Sequence, residues 1–149
     1  MKVRVKKLHP NAVLPYKQEK HNNDFCYDCV AVSCEEIAPN IYKYGLGLAF
    51  EMVREDGQTE IIRSIDLRPR SSVWKTGMVL SNCVGTVDEQ YRGEVAVIFY
   101  HVLPDMPKYN VGDRVVQICL GKTENIEFEE VDELTNTVRG VGGFGSTGK

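Results

Sequence analysis

Residues 84–97, VGTVDEQYRGEVAV, set the β-formers Val84, Val87, Val95 and Val97 on either side of a polar loop closed by Gly93. Apolar β-formers flanking a polar, glycine-containing loop are the local pattern of a β-hairpin. Asp88 and Tyr91 stand at its bend, so the tip carries chemistry as well as reversing direction. The backbone N–H and C=O groups of a hairpin are fixed donors and acceptors, and a small ring with its own donor and acceptor edge pairs with them much as another strand would. An acid beside such a pocket is placed to orient or deprotonate a water. A solvated turn with an ordinary surface Asp has the same local pattern, so the rest of the chain must decide between the two.

Residues 1–8 alternate, with Val3 and Val5 on one face and Lys2, Arg4 and Lys6 on the other, which predicts a half-buried strand. His9-Pro10 ends it and Leu14-Pro15 breaks the next segment, leaving 10–23 as a loop with short extended pieces. Residues 25–32 are β-prone and carry Asp28 among apolar neighbours; a carboxylate there is paired or functional, because burying it bare is costly. The β-prone runs 41–53 and 59–67 flank Arg54-Glu55-Asp56-Gly57-Gln58, and Asp-Gly between two such runs predicts a hairpin. Pro69 then stops the strand, a serine supplies an N-cap, and Gly77 closes a single short helix within 67–77. Residues 94–102, EVAVIFYHV, read as a strand buried on both faces. A Pro-containing loop over 103–110 leads to a strand over 115–120 with Gln117 inside it, and a last strand is expected over 126–131.

The whole is an all-β chain of 149 residues, enough for one domain with its own core and no need of disulfides. A formal net charge of -3 argues against general nucleic-acid binding, so any phosphate site must be built locally. No apolar run approaches the length of a membrane span, and MKVRVKKLHP lacks the apolar core of a signal peptide, so the cytoplasm is the expected location and no membrane partner is expected. Cys26, Cys29, Cys34, Cys83 and Cys119 are odd in number and lack framework spacing, which predicts reduced thiols. Cys26-x-x-Cys29, near Cys34 and His21, has the outline of half a zinc site. Residues three apart in an extended strand face opposite sides, however, and Tyr27-Asp28 offers no tight knuckle, so zinc is not expected.

Two stretches look built for anions. A helix start carrying Arg70, Ser71 and Ser72 brings free N–H groups, hydroxyls and a guanidinium together on phosphate oxygens; the competing reading is an ordinary capped turn with a surface Arg. The tail from Arg139 to Lys149 is too rich in glycine to form an element of its own. It can still fold over a ligand, with glycines close to phosphates, Arg139 for charge and Phe144 as a stacking face; the competing reading is a disordered tail. A P-loop is excluded, since Lys149 has no Ser or Thr after it and no helix to follow. These features together suggest a nucleotide with several phosphates without naming it.

Five short motifs complete the reading: Tyr27-Asp28; Pro69-Arg70-Ser71-Ser72; Asn82 through Gly85 with Asp88 and Tyr91-Arg92-Gly93; Gly112-Asp113-Arg114 to Gln117; and the tail from Arg139 to Gly148. In this order, over residues 25–149, the chain resembles the homotrimeric dUTPase family. The resemblance implies a jelly-roll-like distorted β-barrel with one short helix, assembled as a homotrimer with shared active sites. Residues 1–138 would form the β-domain and 139–149 a flexible arm closing over the site. It implies hydrolysis of dUTP to dUMP and diphosphate, with Mg²⁺ bridging the phosphates and Asp88 activating the water that attacks the α-phosphorus.

By the same resemblance Arg70, Ser71, Ser72 and Gln117 hold phosphate oxygens, and Arg139 reaches the terminal phosphates with Gly145, Ser146 and Thr147 alongside. Phe144 stacks on uracil. Asn82 and the backbone of Gly85, Thr86 and Val87 match the edge of the base, with Ala96 in the same substrate-binding set, and Tyr91 under the sugar rejects a 2′-hydroxyl. Asp28 orders the metal's waters or pairs with a basic partner such as Arg114. Phe25-Cys26 departs from the family's usual Ala-Gly, Val116 replaces the commoner Ala, and 54–66 is expected to be a surface elaboration. Two alternatives share the fold. A dCTP deaminase-type enzyme would need a carboxylate base at the ring and does not normally carry the fifth motif. A non-catalytic, nucleotide-binding regulatory relative is opposed by the intact Asp88, Arg70, Gln117 and Phe144.

Overall fold

A computed structural model describes residues 2–54 and 61–141. Among them are ten strands: β1 (Lys2–Lys7), β2 (Tyr27–Val30), β3 (Ser33–Ala38), β4 (Ile41–Gly45), β5 (Leu48–Val53), β6 (Ile61–Arg68), β7 (Met78–Leu80), β8 (Gly85–Asp88), β9 (Ala96–His101) and β10 (Arg114–Glu124). They form three antiparallel sheets, ordered β1-β5, β2-β10-β6-β8 and β3-β4-β9-β7. No closed barrel forms among the described residues; open sheets share one core, in the manner of a distorted jelly roll.

That core draws Leu48, Phe50 and Met52 from β5, Ile65, Leu67 and Ile118 from the second sheet, and Tyr44, Val97 and Phe99 from the third. Tyr44, Phe99 and Tyr109 meet edge to face, with centroids 5.5–6.3 Å apart, the arrangement that ring quadrupoles favour. The Tyr44 hydroxyl donates to the Tyr109 carbonyl at 2.8 Å, so its burial leaves no polar atom stranded. Burying a side chain like Phe99 contributes about 2–3 kcal/mol.

Several expectations change in space. The run 41–53 is two strands in different sheets, because Gly47 takes φ 63° between them and a Cβ there would stand 2.7 Å from that of His9. β5 pairs with β1, and β6 with β10 and β8, so the 41–53 and 59–67 runs are not hydrogen-bonded neighbours among the described residues; the expected Asp56-Gly57 tip lies outside them. Residues 84–97 are likewise not a paired hairpin. β8 joins β6 while β9 joins β4 and β7, so the stretch crosses from one sheet to another, each arm taking a partner remote in sequence.

β9 buries Val97, Phe99 and His101 but exposes Tyr100, one covered face instead of two. β1 packs only Val5 against the core and leaves Val3 37% exposed. The expected short helix is a 3₁₀ turn, Val73–Thr76, closed by Gly77 at φ 60°; Ser72 precedes it without a side-chain cap. A second such turn, Glu19–His21, lies in the expected N-terminal loop. Strands β3 and β7 had no counterpart in the sequence reading. No strand forms over 126–131, where Ile126 and Phe128 are 68% and 88% exposed; the last strand is β10 itself, which runs on to Glu124. No helix among the described residues is long and apolar enough to cross a membrane.

Candidate active site

Asp88 ends β8, where pairing with Ser64 of β6 fixes its backbone and leaves its side chain exposed. The loop beyond is pinned from within. Tyr91 N–H donates to the Asp88 carbonyl at 3.0 Å, and the Tyr91 hydroxyl to the Glu94 carbonyl at 3.0 Å. The Tyr91 ring lies so close over the loop that a Cβ on Gly93 would come within 2.5 Å of its hydroxyl, which explains the glycine there. Glu94 in turn accepts from the Gly47 N–H at 2.8 Å and ties the loop to the β4–β5 link.

Beside this loop is a cavity of about 280 Å³ that gathers Asn82, Thr86, Val87, Asp88, Tyr91 and Ala96, with Lys43 and Leu67 as further walls. Gly85 adjoins it, the position of its missing Cβ being 3.3 Å from Asn82 Nδ2. Asp88 and Tyr91 also border a wider opening of about 740 Å³ that includes Arg54, Glu89 and Arg92. Here Arg54 grips Glu89 through two hydrogen bonds of 2.6 and 2.8 Å, and the Arg63 N–H donates to the same carboxylate at 3.2 Å. The Arg54 hydrogen bond, ahead of the other contacts, holds the Glu89 carboxyl below its usual range. The sequence reading missed Arg54 and Glu89, whose partnership spans 35 positions; their only signal is the pair of opposite charges.

A second cavity, of about 240 Å³, gathers Asp28, Arg70, Ser71 and Gln117. The antiparallel register sets Gln117 between Asp28 of β2 and Arg68 of β6. Asp28 accepts from Arg70 Nε at 2.9 Å with one oxygen and from Arg114 Nη1 at 2.9 Å with the other. The expected partnership with Arg114 is present, and Arg70 joins it. Arg70 Nη1 also donates to the Ser72 hydroxyl and to the Arg114 carbonyl, both at 3.3 Å, and Gln117 Nε2 donates to the Pro69 carbonyl at 3.0 Å. One carboxylate thus orients two guanidiniums, both of which line the cavity, the donor chemistry that an anion site needs. Lys17 and His21, which the sequence reading did not single out for this role, line the same cavity.

The two cavities share no lining residue. Asp88 faces Ser64 and Gln117 faces Arg68, so four residues along β6 and two strand spacings separate them. With a rise of about 3.4 Å per residue and about 4.8 Å between strands, that is about 16 Å. Arg139 is exposed and borders neither cavity. Phe144, Gly145, Ser146 and Thr147 lie outside the described residues.

Among thiols, Cys29 is fully buried and its pKa is pushed up to about 12, chiefly by burial. Cys26 is raised as well, first by burial and then by the neighbouring Cys119 thiol. No group of three or more His, Cys, Asp or Glu side chains converges as a metal cage among the described residues.

The dUTPase family profile matches residues 66–148. The deoxyuridine 5'-triphosphate nucleotidohydrolase of Wolinella succinogenes is 38% identical over 151 residues, covering 100% of this chain and 95% of that protein. Its counterpart in Helicobacter pylori strain P12 is 38% identical, covering 99% and 97%. In three dimensions the chain is similar to the Staphylococcus bacteriophage 80alpha dUTPase solved with dUpNHpp, with a TM-score of 0.77, 22% identity and 99% of each chain covered. A variant dUTPase from phage phi11 of S. aureus, described with a structural Mg(II) ion, gives a TM-score of 0.69 at 19% identity, covering 91% of this chain and 100% of that one. On its motifs, its fold and these full-length likenesses, the chain belongs to the dUTPase family.

Proposed function

We propose that this protein is a dUTP diphosphatase that cleaves dUTP to dUMP and diphosphate in a site assembled between subunits of a homotrimer. The observation that carries the reading is the presence of two separate cavities: one beside Asp88 walled by Thr86, Val87, Tyr91 and Ala96, and a basic one around Asp28 that holds Arg70, Arg114 and Lys17. The first suits a pyrimidine nucleoside. Backbone around Gly85, Thr86 and Val87, with Asn82 and Ala96, offers a fixed pattern that uracil completes and cytosine leaves unpaired. Tyr91 stands where a 2′-hydroxyl would enter. The second suits phosphates, with Arg70, Ser71 and Gln117 on its wall and Ser72, which accepts from Arg70, beside them.

About 16 Å between Asp88 and Gln117 within one chain exceeds what a triphosphate spans. One substrate therefore meets the Asp88 side of one subunit and the basic cavity of another, which supports the trimer. Residues 1–138 act as the β-domain and 139–149 as the closing arm, with Arg139 on the terminal phosphates, Phe144 on the base and Gly145, Ser146 and Thr147 alongside. In the reaction Asp88 takes a proton from water as its oxygen bonds to the α-phosphorus. The bond from that phosphorus to the bridging oxygen breaks, and diphosphate leaves with the oxygen.

The donor set fits Mg²⁺ held mainly by substrate phosphates. Both Asp28 oxygens are engaged by guanidiniums, so Asp28 would reach the ion through water, in keeping with magnesium's habit of retaining its waters. When bound, the ion supplies neutralisation of the departing diphosphate's charge. Cytoplasmic residence is part of the same reading, the relatives being bacterial enzymes.

The test is release of diphosphate and of ammonia from purified protein given dUTP, dCTP, UTP or dTTP with Mg²⁺. Diphosphate from dUTP alone, without ammonia, is expected. Ammonia from dCTP would establish the deaminase instead, and tight dUTP binding without turnover would establish the regulatory relative.

A further inference from the structure

Beyond the hydrolytic site, the register of β2 and β10 brings two cysteines face to face. Asp28 opposes Gln117 and Tyr27 opposes Ile118, so Cys26, the bend residue one step before β2, comes up beside Cys119, one step further along β10. Directly opposed residues of antiparallel strands have Cα atoms about 4.5–5.5 Å apart, inside the range of about 4.4–6.8 Å that a disulfide spans. Alternation along the strands puts Cys26 on the face of Asp28 and Cys119 on that of Gln117; Cys26 lines the basic cavity, while Cys119 is buried at 6% exposure and borders a separate, apolar cavity. Burial, and after it the neighbouring Cys119 thiol, holds the Cys26 thiol up, and Arg68 stands near both sulfurs. Of the others, Cys29 is sealed in the core, while Cys34 and Cys83 are exposed on other elements.

We propose that Cys26 and Cys119 are a modification site, closing to a reversible disulfide under a peroxide-class oxidant. The Cys26 thiolate attacks one peroxide oxygen, the O–O bond breaks, and hydroxide leaves to be protonated to water, giving a sulfenic acid. The Cys119 sulfur then attacks that sulfur, the S–O bond breaks, and a second water departs with the Cys119 proton. Two thiols lose two electrons in all, and one peroxide becomes two waters. A dithiol reductant reverses the bond by exchange.

Closure also reaches the cavity, a consequence that rests on the proposed nucleotide reading. Tyr16, Lys17, Gln18, His21 and Asp24, on the segment leading into Cys26, form one wall. Replacing a thiol contact by an S–S bond of about 2.05 Å draws the end of that wall against β10 and narrows the opening. The oxidised protein binds triphosphate more weakly.

The test treats the full chain with hydrogen peroxide, alkylates the remaining thiols and digests it for mass spectrometry. The expected result is loss of two of the five thiols and one peptide pair joined through Cys26 and Cys119, restored by dithiothreitol and absent from Cys26→Ser and Cys119→Ser. Five thiols still free, or oxidation confined to Cys34 and Cys83, would overturn the proposal. In a second arm, binding of a non-hydrolysable dUTP analogue weakens at least about threefold on oxidation, since a cavity fixed in the wrong shape loses preorganisation. Unchanged affinity with the link in place overturns the coupling to the cavity. If the reduced protein fails to bind the analogue, the nucleotide reading falls while the mass measurement still decides the disulfide.

Discussion

The cavity beside Asp88 is framed by backbone and by Thr86, Val87 and Ala96, with Tyr91 across it, whereas the cavity around Asp28 presents Arg70, Arg114 and Lys17. On the proposed reading the first discriminates by shape and by the direction of hydrogen bonds, with Lys43, Asp88 and Glu94 as its charged walls. On the same reading the second attracts phosphate of any nucleotide; its guanidiniums are held by one carboxylate. Choice of base and grip on phosphate would then reside in different strands. Substitutions in the two places should fail in different ways.

The largest effect is expected in the first. Asp88→Asn keeps the shape of that cavity but removes the proton acceptor, so kcat falls by about 10³-fold or more while dUTP still binds. Near-normal turnover in that variant, read by diphosphate release, would remove Asp88 from the reaction. Next in size, Arg70→Ala deletes a fork that serves both phosphate and Asp28, and KM for dUTP rises by about 50-fold. Selection of dUTP over dCTP should persist in it, and a loss of base selectivity would break the division between the cavities.

How far this division was legible in the sequence depends on the kind of information each part needed. Asp88, Arg70 and Gln117 sit in short local motifs, and a motif survives reading in one dimension. Strand type was also legible, since alternation and β-branched residues announce themselves in β6 and β10. Partnership was not. β1 finds β5 and β10 finds β2 across long stretches of chain, and nothing in an alternating pattern names its partner. The 84–97 stretch misled for that reason: two good strands with a turn between them look like a hairpin, although each found a remote neighbour. Residues 126–131 misled in the opposite way, with apolar side chains at strand spacing and no sheet edge of the same chain to receive them. The Arg54–Glu89 grip needed the fold before it existed at all.

Smaller effects sharpen the comparison further. Tyr91→Ala opens space under the sugar, and discrimination against UTP, measured as a ratio of kcat/KM values, should fall by about tenfold, the scale set by one steric contact. An unchanged ratio would place sugar selection elsewhere. The least effect is expected from the Arg54–Glu89 pair. The Glu89 carboxyl is held below its usual value, so its contribution to stability is fully present above the unfolded value of about 4.3 and is lost as pH falls through the lower folded value. Glu89→Gln should therefore lower Tm by a few degrees at neutral pH, with the two melting curves converging in acid. A gap that persists at low pH would show that the carboxylate charge is not what steadies the loop.

The central claim, that one substrate is held between two chains, is tested most directly by mixing inactive subunits. Asp88→Asn and Arg70→Ala chains are co-refolded in equal amounts and assayed for diphosphate release. In a cyclic trimer about three quarters of the assemblies are mixed, and each mixed assembly regains one of its three sites, so about a quarter of wild-type activity should return. Activity no greater than the average of the two parent variants would mean that a single chain carries the whole site, against the separation of about 16 Å on which the account depends.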